Sequence, residues 1–177
     1  MNLDLDEMVI AYGEKLLRYA TSILYNHQDA EDVVQDTFLS AYQSKQTFDG
    51  EHLSAWLYKI TYNKCMNLIK RRRFMFLSDV PENTVSPAAE TDPESSRVLD
   101  MLGHLSPKDR ALFYARVIEG YSYEEISARM GIGADALRKR YQRAKAKLAR
   151  ALGEENPNLN KPNLTHREEQ TYEKQRF

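Results

Sequence analysis

Only one cysteine, Cys65, occurs in the 177 residues, so no internal disulfide can form and the chain suits a reducing compartment. No apolar run approaches the length needed to cross a bilayer, and no charged start followed by an apolar stretch marks a secretory leader. The expected location is the cytoplasm. Neither sign of charge dominates: the formal net charge is -1, with 29% charged and 42% hydrophobic residues, the composition of a soluble globular chain. Signatures of chemistry are equally scarce. His27, His52, His104 and His166 are scattered without metal-ligand spacing, and Cys65 falls mid-helix as a core residue. There is no P-loop lysine, catalytic triad or convincing carboxylate pair. These absences predict neither an enzyme nor a metal, cofactor or small-molecule substrate.

What is present is unevenly placed. Acids gather at Asp4, Asp6 and Glu7, at Asp29, Glu31, Asp32 and Asp36, and from Glu82 to Glu94. Bases gather from Lys70 to Arg73 and from Arg138 to Arg150. A near-zero sum therefore hides local surfaces of both signs, and a local basic surface is what a phosphate partner requires.

Helical periodicity divides the chain into two blocks. In the first, Leu16, Leu17, Ala20, Ile23 and Leu24 form one apolar stripe on a helix over residues 9–25. Asp29 is the expected cap of a second helix, with Val34, Phe38 and Ala41 inward and Asp32, Gln35, Asp36 and Leu39 on another side. A third helix starts near Ser54, with Leu57, Ile60 and Leu68 as core contacts. The stretch LSDVPENTVSPAAETDP, residues 77–93, has turn chemistry and no apolar period, which makes it a linker.

In the second block, Asp92-Pro93 and Ser106-Pro107 are start signals, a cap followed by proline in the first turn. The helix after Ser106 should reach about Glu119. Ser122-Tyr-Glu-Glu125 is a capping box opening a short helix that ends at Gly131. A last helix follows from about Ala134 to Leu152, with Leu137, Tyr141, Ala144 and Leu148 on the packing face. After Gly153 the text is too polar to build a core and reads as a tail, in which Thr165 and Glu168 could cap a short helix.

Gly131-Ile-Gly133-Ala-Asp-Ala136 fits a dinucleotide-binding fingerprint. That fingerprint works only between a strand and a helix, and here a capped helix precedes it. Two helices joined by a tight glycine turn form a helix-turn-helix, whose second helix enters the major groove. Arg138, Lys139, Gln142, Arg143 and Lys147 fall on its outer surface, and no acid occurs from Ala136 to Leu152.

The stretches DAEDVVQDTFLSAY (Asp29 to Tyr42), TFDG…AWLYKITYN (Thr47 to Asn63) and LSPKDR…EGYSYEEISARMGI…LRKRYQRAKAKL (Leu105 to Leu148) together resemble the extracytoplasmic-function (ECF) group of bacterial sigma-70 factors. The resemblance implies an all-α chain of two small helical domains joined by a flexible linker. A region 2 domain would span residues 1–76, the acidic linker 77–93, a region 4 helix-turn-helix domain 94–152 and the tail 153–177. By resemblance, Asp32, Gln35, Asp36 and Leu39 match the face that docks on core RNA polymerase. Phe48, Tyr58, Lys59, Tyr62, Asn63, Lys70 and Arg71 match the reader of the melted minus-ten element, where aromatics stack on splayed bases. Trp56 is the weaker candidate there and reads as core.

Arg138, Lys139, Gln142, Arg143 and Lys147 match the reader of the duplex minus-thirty-five element, arginine being suited to guanine edges. Arg140 is expected to brace the fold or touch phosphate. Asn67, where many relatives carry Asp, and Asp135, Ala136 and Lys139 depart from the family pattern, so promoter sequence does not transfer. An anti-sigma factor, membrane-anchored in some of the family, is the further partner implied. Two rivals remain at this level: a helix-turn-helix regulator acting without core polymerase, and a protein-interaction adaptor whose basic face is idle.

Overall fold

The computed structural model describes residues 4–44, 48, 52–75 and 101–151, and among these there is helix but no strand. The linker at 77–93, the start signal at Asp92-Pro93 and the tail after Gly153 lie outside the described residues.

Helix α1 spans Leu5–Leu24, capped by Asp4, whose side chain accepts from the Asp6 amide. Its stripe is as expected: Leu16, Ala20 and Ile23 are buried, with Leu17 and Leu24 half-buried at its margin. It stops at Tyr25, which takes the left-handed conformation (φ 59°) and returns its amide to Thr21. Helix α2 spans His27–Gln43. Its cap is Asn26 and not Asp29: the Asn26 side chain accepts from the Asp29 amide at 3.0 Å. Both residue types suit the position, but Asp29 is engaged elsewhere, as shown below.

Helix α3, Leu53–Met75, packs on α1 and α2. Where α2 and α3 meet, the buried hydroxyls of Thr37 and Thr61 each find a carbonyl one turn back on their own helix, Val33 O at 2.8 Å and Leu57 O at 2.9 Å. Neither is left unsatisfied, which would cost about 1–3 kcal/mol per group.

In the second block α4 spans Pro107–Phe113. The turn that follows, Tyr114–Ile118, is π-helical, with the Glu119 amide reaching back five residues to Tyr114 O. Ser122 and Glu125 form the expected capping box at the start of α5, Tyr123–Met130, which ends at Gly131 in the left-handed region (φ 67°). Helix α6 spans Ala134–Ala151 and buries Leu137, Ala144 and Leu148, with Tyr141 half-buried and stacked on Phe113.

The two blocks share one core. Helix α4 lies on α1, α5 lies on α3, and α6 closes over α4 and α5. Leu16, Ile23, Leu57, Leu102, Leu112, Ile126, Leu137 and Leu148 are fully buried, each contributing about 1.5–3 kcal/mol by leaving water. Gly103 is small for a local reason: a Cβ there would come within 3.0 Å of the Tyr25 hydroxyl.

Candidate nucleic-acid interface

On α2 the turns that bury Val33, Val34, Thr37 and Phe38 turn Asp32, Gln35, Asp36 and Leu39 outward, and all four are exposed. Leu39 is an exposed large apolar residue on an otherwise polar face, an arrangement typical of a docking surface. Asp36 also meets α3, where Lys64 Nζ stands 3.7 Å from its Oδ2. Asp29 accepts a bidentate pair of bonds from Arg72 on α3, both 2.6 Å long, which is why it does not cap α2.

The basic end of α3 presents Lys70, Arg71 and Arg73 with Asn67 and Phe74 along a shallow groove. Lys59 and Asn63 are exposed on the same helix. Phe48 is half-buried and stacked on Trp56 with centroids 4.8 Å apart, so the two sequence candidates form one unit. Tyr58 and Tyr62 differ from the rest: they are 1% and 5% exposed. Tyr121 meets the Tyr58 ring edge-on at 6.0 Å, and burial drives the Tyr58 hydroxyl well above its ordinary pKa.

On α6, Arg138, Lys139, Gln142, Arg143 and Lys147 are all exposed along the outer face of the second helix of the helix-turn-helix. Arg138 is already oriented, donating to Asp135 at 2.7 Å, with Glu124 3.7 Å away and the Tyr123 ring centroid at 5.1 Å. Arg140 turns the other way, its Nε donating to Asp109 Oδ1 at 2.6 Å, so its expected brace is present. Among the described residues no group of three or more side chains could hold a metal, and no helix is long and apolar enough to cross a membrane.

Residues 8–74 match the family model for sigma-70 region 2, and residues 95–148 match the model for sigma-70 region 4. The chain belongs to the ECF sigma factors. It is similar to the ECF RNA polymerase sigma factor SigE of Mycolicibacterium smegmatis, 32% identical over 81% of this chain and 59% of that one, so it spans little more than half of that relative. It is also 32% identical to the RNA polymerase sigma factor CnrH of Cupriavidus metallidurans, covering 82% of this chain and 85% of CnrH. The solved structure of CnrH with the cytosolic domain of CnrY superposes with a TM-score of 0.64 over 84% of this chain and 87% of that one, at 31% identity. RpoE of Bartonella quintana, solved with the anti-sigma factor NepR, shares the fold at a TM-score of 0.71 and 24% identity, over 85% of this chain and 98% of that one.

For this sigma factor, the α2 face and all α3 candidates fall within the region 2 match, and the α6 face within the region 4 match. Sigma factors act in transcription initiation and are not, as a family, enzymes. Sequence reasoning did not single out Arg110 or Arg129, buried arginines of the second block. Their signal was faint: an arginine in an amphipathic helix normally reads as surface.

Proposed function

We propose that this sigma factor docks on core RNA polymerase through Asp32, Gln35, Asp36 and Leu39 and reads promoter DNA with two surfaces. The groove side of α3, with Phe48, Tyr58, Lys59, Tyr62, Asn63, Lys70 and Arg71, takes the melted minus-ten element. Arg138, Lys139, Gln142, Arg143 and Lys147 take the duplex minus-thirty-five element. Residues 1–76 form the docking and minus-ten domain, 77–93 the linker, 94–152 the minus-thirty-five domain and 153–177 a tail. The chain itself carries no catalytic centre; the polymerase makes the phosphodiester bond, in the cytoplasm.

The observation that carries this reading is the outward face of α6: five basic or amide side chains, all exposed, on the second helix of a helix-turn-helix. Such a helix reads base edges from the major groove. An anti-sigma factor is the regulatory partner we assign, because RpoE is solved with one, and CnrY, of which CnrH holds the cytosolic domain, is the kind of membrane-linked partner that fits.

The test is a paired Arg138→Ala and Arg143→Ala variant, assayed for promoter occupancy by footprinting of the polymerase-bound form. Occupancy should fall while polymerase binding is retained. Normal occupancy would remove α6 from the promoter.

A further inference from the structure

Tyr58 and Tyr62 stand on the helix face assigned to melted DNA, yet the protein's own second block covers them. Arg129 of α5 is 7% exposed, its guanidinium carbon 3.7 Å from the Tyr121 centroid and 5.6 Å from that of Tyr58. Its Nη1 donates to Glu125 O, one turn back on its own helix, at 2.9 Å. Among the described residues no carboxylate pairs with it. Tyr62 feels the charges of Arg140 and Asp109, again from the second block. At the other end of the contact, Arg110 Nη2 donates to Ile23 O at 2.8 Å and its guanidinium lies 4.6 Å from the Tyr25 centroid. Tyr114 packs on Tyr19 beside it, centroids 6.0 Å apart.

We propose that the Tyr58–Tyr62 face of α3 has two mutually exclusive occupants, the protein's own helix-turn-helix and single-stranded DNA, and that Arg129 decides between them. The inference rests on the minus-ten assignment proposed above. Aromatic faces are the shared currency. Bases stack on tyrosine rings, and a desolvated guanidinium binds the same rings through their quadrupoles. Both cannot be served at once, since Arg129 and Tyr121 occupy the space a base would need.

The clamp is also reversible by construction. A buried charge without a counter-ion is a costly element, and separation returns the guanidinium to water or to a phosphate. Closure lowers the apparent DNA affinity of the free protein by the fraction that is open. A partner that engages either block in the separated state shifts that fraction.

The experiment compares wild type, Arg129→Ala and Arg129→Met as full chains without polymerase. Binding is read by fluorescence anisotropy with a short fluorescein-labelled single strand of mixed sequence, and overall size by small-angle X-ray scattering. Arg129→Ala should expand the protein and tighten single-strand binding about tenfold, the gain expected when a mostly closed population opens. Arg129→Met, which keeps apolar bulk between the tyrosines, should stay compact and bind no better than wild type. If Arg129→Ala loses helical circular dichroism, Arg110→Ala at the other end of the contact replaces it with the same expectation.

Equal affinities and sizes across the forms overturn the clamp, as does a gain with Arg129→Met alone. Transcription by each form with core polymerase separates the two levels. Equal affinities with normal promoter-specific transcription overturn the clamp alone. No transcription by any form overturns the minus-ten assignment and the clamp with it.

Discussion

Arg72 and Asp29, 43 residues apart, are joined by two parallel bonds of 2.6 Å, which tie the basic end of α3 to the first turn of α2. Bidentate pairing fixes the direction of the guanidinium as well as its distance. Within the basic run from Lys70 to Arg73, Arg72 is therefore committed to the fold, while Lys70 and Arg71 line or approach the groove. Arg72→Ala should cost about 0.2–1 kcal/mol of stability, the range for half-exposed pairs. Arg71→Ala should leave stability unchanged and weaken salt-dependent DNA binding. Thermal melts and anisotropy on both variants check the division, and a reversed pattern would exchange their roles.

The same separation holds on α6. Arg140 is held by Asp109, which also accepts from the Ser106 hydroxyl at 2.6 Å, so the recognition helix is pinned to the start of α4. Removing Arg140 leaves a half-buried carboxylate short of its cation. Arg140→Ala should destabilise the protein by about 1–3 kcal/mol, whereas Arg143→Ala should be neutral to stability and lower promoter occupancy. Denaturant titrations measure the first effect, and equal midpoints for the two variants would deny the brace.

Asp36 is exposed but has Lys64 at 3.7 Å. Asp36→Arg reverses charge on the docking face and places two cations together, at a stability cost within the small range of surface pairs. The expected outcome is a folded protein that no longer binds core polymerase. Affinity should be read by surface plasmon resonance alongside Lys64→Ala, which loses the pair but keeps the carboxylate. Loss of binding in both variants would mean the ion pair, and not the face, is what matters.

Burial pushes the Cys65 thiol up to about 12 from an ordinary value of 9.0 and raises the hydroxyls of Tyr19, Tyr58 and Tyr114 above theirs. These groups are neutral in the fold, while the unfolded chain ionises at the ordinary values. Their contribution is therefore complete below about pH 9 and is lost as pH rises beyond it. The melting temperature should hold from neutral pH to about pH 9 and fall steadily above. A midpoint unchanged at strongly alkaline pH would show these groups reaching water.

Local signals made much of the fold legible in the sequence. The Ser122–Glu125 box, the Gly131 stop and the Leu137–Ala144–Leu148 face depend on neighbours a few residues away, and each stands where periodicity and capping chemistry put it. Asn26 displaced Asp29 as the cap of α2 because Asp29 has a partner in Arg72, far away in sequence. The π-helical turn at Tyr114–Ile118 was likewise invisible to helical periodicity. The exposed faces of α2 and α6 were readable from the same periods that buried their opposite sides. What could not be read was the cover on Tyr58 and Tyr62. Composition gave those tyrosines an aromatic role on α3, but only the packing of α5 against α3 shows that Arg129 and Tyr121 hold them. Long-range packing of one block on the other leaves no period in either.

The central claim, that this ECF sigma factor works as part of the polymerase, is tested most directly by size-exclusion chromatography of the protein with and without bacterial core RNA polymerase, followed by transcription of genomic fragments with the complex. The account predicts co-elution and new promoter-specific transcripts that core polymerase alone does not make. Failure to co-elute, with salt-sensitive binding of duplex DNA by the protein alone, would contradict it and point to a regulator acting without polymerase.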